Sequence, residues 1–72
     1  MNEVNNLRKI RNGTYHGEPG TYWAWQQDGY WDLHHSYPGE EPTGDDVIAE
    51  FFQTLTEVRA EVKTIMWLEQ YL

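Results

Sequence analysis

The stretch TYWAWQQDGYWDLHH, Thr21 to His35, decides the fold. Thr21–Gln26 and Tyr30–His35 are rich in β-branched and aromatic residues, and Asp28-Gly29 between them is a strong reversal signal, so the segment reads as a β-hairpin over residues 21–36. The length of the reversal decides which side chains share a face. A two-residue turn at Asp28-Gly29 pairs Trp25 with Asp32 and Ala24 with Leu33, and leaves tryptophan on both faces. A three-residue loop, with Gly29 left-handed in a bulge, pairs Trp25 with Trp31 and Trp23 with Leu33. That register gathers Trp23, Trp25, Trp31 and Leu33 on one apolar face and puts Tyr22, Ala24, Gln26, Tyr30, Asp32 and His34 on the other. Because a slip of one residue inverts every side chain, burial of the indoles favours the three-residue loop.

Downstream, Ser36–Gly44 carries Pro38, Gly39, Pro42 and Gly44 together with Glu40 and Glu41 and reads as a solvated loop. Thr43 or Asp45 can cap a following helix, whose positive end Asp45, Asp46 and Glu50 would favour. From Asp46 to Tyr71 there is neither glycine nor proline, and Ile48, Phe51, Leu55, Val58, Val62 and Ile65 recur at three- and four-residue steps. That rhythm predicts one amphipathic helix over about 46–71, with Phe52 and Met66 widening its apolar stripe. A helix of this length spans about 39 Å, whereas hairpin arms of about seven residues reach about 23 Å. Either the helix breaks or its uncovered part packs on a second chain. Trp67, on the opposite face from Ile48, Leu55 and Val62, favours a homodimer through Val58, Val62, Ile65, Met66 and Trp67.

Upstream, Gly17-Glu18-Pro19-Gly20 reads as a turn, preceded by a first strand from about Leu7 to His16 with a bulge at Asn12-Gly13. The expected architecture is therefore α+β: a single domain, residues 1–72, with a small antiparallel sheet of two to three strands packed on one long C-terminal helix.

Composition narrows what such a domain can do. A chain of 72 residues has a modest core, and without cysteine it has neither disulfides nor thiolate metal ligands. Four tryptophans, five tyrosines and two phenylalanines supply bulk in their place. Absence of cysteine fits a reducing cytoplasm, and neither a signal region nor an apolar run long enough to cross a bilayer is present. The formal charge is −7. Residues 1–12 hold Arg8, Lys9 and Arg11 against Glu3, while the rest has only Arg59 and Lys63 against eleven acids. This acidic body disfavours direct nucleic-acid binding and suits a basic surface on another protein.

Chemistry is sparse. His34 and His35 are adjacent and point to opposite faces of a strand. A site drawing on His16, Asp32 and His34 would need a further ligand and outer-shell support that the sequence lacks, so no metal or cofactor is expected. Glu40-Glu41 and Asp45-Asp46 lack the alternating spacing that wraps a calcium ion. With no nucleophile–base pair and no phosphate-cradling glycine loop, the chain reads as a non-enzyme.

Function is therefore expected to be binding. The leading reading is a small acidic inhibitor, of the kind that phages and mobile elements make against host proteins, acting by occlusion or by DNA mimicry. Its contacts would be Tyr22, Tyr30, Asp32 and His34 on the outer face, with Glu40, Glu41, Asp45, Asp46, Glu50, Glu57 and Glu61 as the acids. Glu50, Glu57 and Glu61 fall near one flank of the expected helix, as mimicry of a phosphate row requires. The alternatives are an assembly subunit that dimerises or docks through the helix, and a small-ligand or metal-binding domain built on the histidines.

Overall fold

A computed structural model describes residues 7–71. Four antiparallel strands, β1 (Leu7–Tyr15), β2 (Glu18–Gln27), β3 (Tyr30–Ser36) and β4 (Val47–Phe52), form a meander in chain order. The one α-helix among the described residues, α1 (Leu55–Glu69), packs on one face of this sheet. The α+β architecture expected from the sequence is present, with one strand more than its upper estimate.

The extra strand comes from what was read as the first third of the helix. Val47–Phe52 adds to the free edge of β3, with Trp31 opposite Phe52, Leu33 opposite Ala49 and His34 opposite Val47. The segment is β-branched and aromatic, and an unpaired strand edge beside it supplies the hydrogen-bonding partner that isolated propensity ignores. The three-and-four spacing of Ile48, Phe51 and Leu55 is thus coincidental across two elements. Thr43 does act as a cap, but of a short 3-10 turn, Gly44–Asp46, closed by reciprocal bonds between Thr43 and Asp46. The α-helix begins at Thr54, whose hydroxyl accepts from the Glu57 N–H, while the Glu57 carboxylate accepts from the Gln53 N–H. Fifteen residues give a helix of about 22 Å, which matches the sheet, so the length mismatch disappears.

Both hairpins turn through two residues. His16 and Gly17 have φ of 55° and 83°, and Asp28 and Gly29 have 54° and 83°. Two successive positive φ angles define a type I′ turn, whose twist matches that of the flanking strands, and a short aspartate tolerates the first position. Hence Gln27 faces Tyr30, Trp25 faces Asp32 and Ala24 faces Leu33. The expected three-residue loop is corrected, and with it every side-chain assignment in the hairpin. Glu18, Pro19 and Gly20, expected in a turn, belong to β2. The irregularity in β1 lies at Ile10, between Lys9 and Arg11, and Asn12 and Gly13 pair normally with Thr21 and Gly20.

The helix side of the sheet therefore carries Tyr22, Ala24 and Leu33, which with Val58 and Val62 are fully buried. Ile10, Tyr15, Trp31, Ile48, Phe52, Leu55, Ile65 and Met66 pack around them. Complete burial of an aliphatic side chain stabilises by about 1.5–3 kcal/mol, so Leu33, Val58 and Val62 are a large share of what so small a domain has. Tyr22 keeps its hydroxyl satisfied inside this core by donating to the Thr14 carbonyl. At the far end of α1, the Glu69 carboxylate accepts from Thr14 Oγ1 at 2.9 Å, His16 N at 2.6 Å and Gly17 N at 3.4 Å, tying the helix to the first hairpin turn.

The opposite face is covered by the loop that joins β3 to β4. Ser36 Oγ donates to the Glu40 carbonyl at 2.6 Å and accepts from Trp23 Nε1 at 2.8 Å, and His34 Nδ1 lies 3.2 Å from the Thr43 carbonyl. This cover explains why Thr21, His34 and Ser36 are buried although polar, and why Trp23 and Trp25 can stay half-buried away from the helix. A three-residue loop would be favoured only if one face of the sheet were covered; here both are.

Candidate functional site

The corrected register redistributes the expected contact residues. Tyr22 has no exposed surface and His34 is 3% exposed, so neither is an outward contact. Tyr30 remains outside at 44% exposure, and Asp32 is half-buried beside it. Glu40, Glu41 and Asp45 are exposed on the loop and Asp46 is half-buried at its end. Glu50 is exposed on β4, whereas exposed Glu57 and half-buried Glu61 lie on α1. The row of acids expected along one helix flank is therefore split between two elements. Of the expected dimer residues, Val58 and Val62 are fully buried against the sheet and have no surface to offer a second chain. Ile65 and Met66 pack on the same core, and Trp67 is exposed with Leu68 and Tyr71.

Around Tyr30 the turn and β4 build a mixed aromatic and acidic hollow. The Asp28-Gly29 turn sets Tyr30 at the start of β3, and the last residues of β4 bring Phe51 against it. Their ring centroids are 5.9 Å apart at 85°, an edge-to-face pair. Phe51 is 71% exposed and has a φ of 70°, a left-handed conformation that a bulky residue adopts only under strain. It occupies the irregular step where β4 spends one residue more than β3, and its N–H reaches Asp32 Oδ1 at 3.4 Å. Gln27, Asp28, Asp32 and Glu50 complete the walls of a hollow of about 340 Å³. Three carboxylates and two ring faces converge there without one basic side chain. Such a lining attracts a guanidinium or ammonium group both by charge and by the ring quadrupoles.

A second hollow, of about 290 Å³, opens at the other end of β3 between the first hairpin turn and the loop, lined by Tyr15, His16, Glu18, Tyr37, Glu40 and Asp46 over His35. The His35 ring sits 4.7 Å from that of Tyr22 and 5.9 Å from that of Tyr15. Burial holds its pKa below the usual value, against the opposing pull of the Gly13 carbonyl and the charges of Glu69 and Asp46, and its Nε2 has no hydrogen-bond partner. His34, on the opposite face, is lowered for the same first reason, opposed by the Thr43 carbonyl and by Asp32, Asp46 and Glu50. A carbonyl can only accept, so His34 carries its proton on Nδ1, and the buried Nε2 is left unpaired. Among the described residues, no group of three histidine or carboxylate side chains is placed to hold a metal. None of the described helices is long and apolar enough to cross a membrane.

Sequence reasoning missed Asp28 and Phe51. In the sequence Asp28 reads only as a turn residue, and Phe51 falls in the apolar stripe of the expected helix. The Thr54-x-x-Glu57 pattern, a capping box in the sequence, was the available sign that the helix starts after Phe51 and leaves it free.

No family model matches the chain, and neither curated proteins nor solved structures give a match.

Proposed function

We propose that the chain is a small acidic protein-binding module that inhibits by occlusion, capping a basic side chain on the surface of another protein. The observation that carries this reading is the exposed Tyr30–Phe51 pair set among Asp28, Asp32 and Glu50. An exposed aromatic held at positive φ is a stability cost that its edge contact with Tyr30 offsets only in part, and strain of this kind concentrates where a surface is shaped for contact. The acidic hollow at Tyr15 and Tyr37, on the far side of a seven-residue strand, lies about 20 Å away. It gives a second point of attachment, where Glu18, Glu40 and Asp46 stand with two tyrosines beside His16 and His35, so a partner with two separated basic residues would be held in one orientation. The net charge of −7 would speed encounter with such a partner.

The test is an NMR titration with a short arginine-containing peptide and its citrulline counterpart. Saturable shifts at Tyr30, Phe51 and Asp32 with arginine, absent with citrulline and lost in Tyr30→Ala/Phe51→Ala, are expected. Equal shifts with both peptides would remove the charge argument, and unchanged binding in the double variant would remove the site.

The assembly reading keeps one observation in its favour. Trp67, Leu68 and Tyr71 expose apolar surface at the end of α1, with the Trp67 and Tyr71 rings 4.9 Å apart. Self-association on this reading uses these three residues, and sedimentation of Trp67→Glu against the parent chain tests it.

A further inference from the structure

The positive charge of this chain is scarce and unevenly placed. Five lysines and arginines stand against twelve acids. Three of the five, Arg11, Arg59 and Lys63, line with Ile10 a single cleft of about 440 Å³ between β1 and α1. Arg11 follows the irregularity at Ile10 and lies opposite the helix-facing Tyr22, which puts it on the helix side of the sheet. Arg59 and Lys63 are one turn apart on α1. Like charges at that spacing oppose helix formation, and Arg11 adds a third charge from the neighbouring strand. Eleven carboxylates lie among the described residues, yet none of them forms an ion pair with these three side chains. Clustered bases that no described carboxylate neutralises, in a chain of net charge −7, form a local inversion of its field. Ile10 supplies an apolar wall on one side, so a bound anion would lose part of its water there and feel the charges more strongly.

We propose that this cleft binds a phosphate-class oxyanion, either free or carried as a monoester. Two guanidinium forks and one ammonium can between them satisfy several oxygens of a tetrahedral dianion, with arginine giving bidentate contacts and lysine a point charge. A single carboxylate would leave most of that charge uncompensated. The site is separate from the aromatic and acidic hollow and stands or falls independently of it.

The test is a titration of the full chain with inorganic phosphate at constant ionic strength, followed by backbone NMR, with a phosphoserine tripeptide as a second arm. Saturable shifts confined to Arg11, Arg59, Lys63 and their neighbours are expected. Arg59→Gln and Lys63→Gln, both at exposed positions, should each weaken binding about tenfold, equivalent to about 1.4 kcal/mol, with circular dichroism unchanged. A phosphoserine peptide binding more tightly than phosphate identifies a modified side chain as the source; equal or weaker binding identifies the free ion. Shifts that grow linearly without saturating, or that persist unchanged in the Arg59→Gln/Lys63→Gln double variant, overturn the proposal.

Discussion

Gly20→Ala should unfold this protein, and Gly29→Ala should not. In β2, Gly20 lies where the backbones of β2 and β3 and the His35 ring converge. A methyl group there would overlap the Ser36 carbonyl oxygen and stand 2.6 Å from His35 Cε1. The oxygen belongs to backbone already fixed in the sheet, so the clash is relieved only by separating the two strands. Overpacking of this severity costs about 3 kcal/mol or more, which equals the whole stability that a core of this size supplies. Gly29, by contrast, has open space around it and only its φ of 83° to protect. An alanine held at positive φ costs about 1–2 kcal/mol. Urea melts followed by far-ultraviolet circular dichroism would separate the two, with Gly20→Ala unfolded without denaturant at 25 °C and Gly29→Ala showing a reduced midpoint at an unchanged slope. The sequence reading of Gly20 as a turn residue implies costs of similar size at both positions. A Gly20→Ala protein within 1 kcal/mol of the parent would refute the packing of β2 on β3 described above.

Phe51→Gly should raise the melting temperature, because about 1 kcal/mol of left-handed strain is released and little buried surface is lost, while binding of the arginine peptide disappears; a lower melting temperature would mean that the strain is not there. Val62→Ala should cost about 2 kcal/mol with a midpoint independent of protein concentration, and Val62→Asp should leave the chain unfolded. A midpoint that moves with concentration would instead place Val62 in a subunit interface. Stability should fall as pH drops from 7 to 5: the folded pKa of His34 and His35 is lowered, so the unfolded chain takes up protons near the ordinary histidine value while the folded chain still resists them. Urea midpoints for His34→Gln should show a shallower slope across that interval, and identical slopes would exclude His34 as a contributor. Below this range the Glu69 carboxylate, lowered chiefly by the His16 N–H, loses its stabilisation as pH falls through its folded pKa. At the alkaline end, burial raises Tyr22 to about 12, so its contribution is lost as pH climbs from 10 towards that value, which ultraviolet titration at 295 nm can follow.

The hairpin was legible in the sequence because Asp28-Gly29 and its flanking aromatics are local signals. Its register was not. Choosing between a two- and a three-residue reversal required knowing how many faces of the sheet would be covered, and the cover on the second face is a loop whose bonds to His34 and Ser36 are tertiary. The same limit applied to Val47–Phe52. Its helix-like spacing is coincidental, and the edge of β3 that captures it is not a local signal in the sequence. The start of α1 is legible in Thr54 and Glu57, and the length mismatch admits a break in the helix as one of its two outcomes, although Trp67 favours the other. Of the contact residues, Tyr30, Asp32 and Glu50 remain together in the hollow. Tyr22 and His34 dropped out with the register, and Phe51 entered with the strand.

Order along the chain has its own consequence during synthesis. All four strands are neighbours in sequence, joined by two tight turns and one loop, so the meander can assemble as it emerges from the ribosome. The residues that shield its apolar side lie in α1, which follows. For the seconds needed to translate the helix, Tyr22, Ala24 and Leu33 form an uncovered greasy platform on a nascent polypeptide. A host that is short of trigger-type chaperones, or a stall placed before Leu55, should therefore divert this protein into aggregates even though the finished molecule is acidic and well closed.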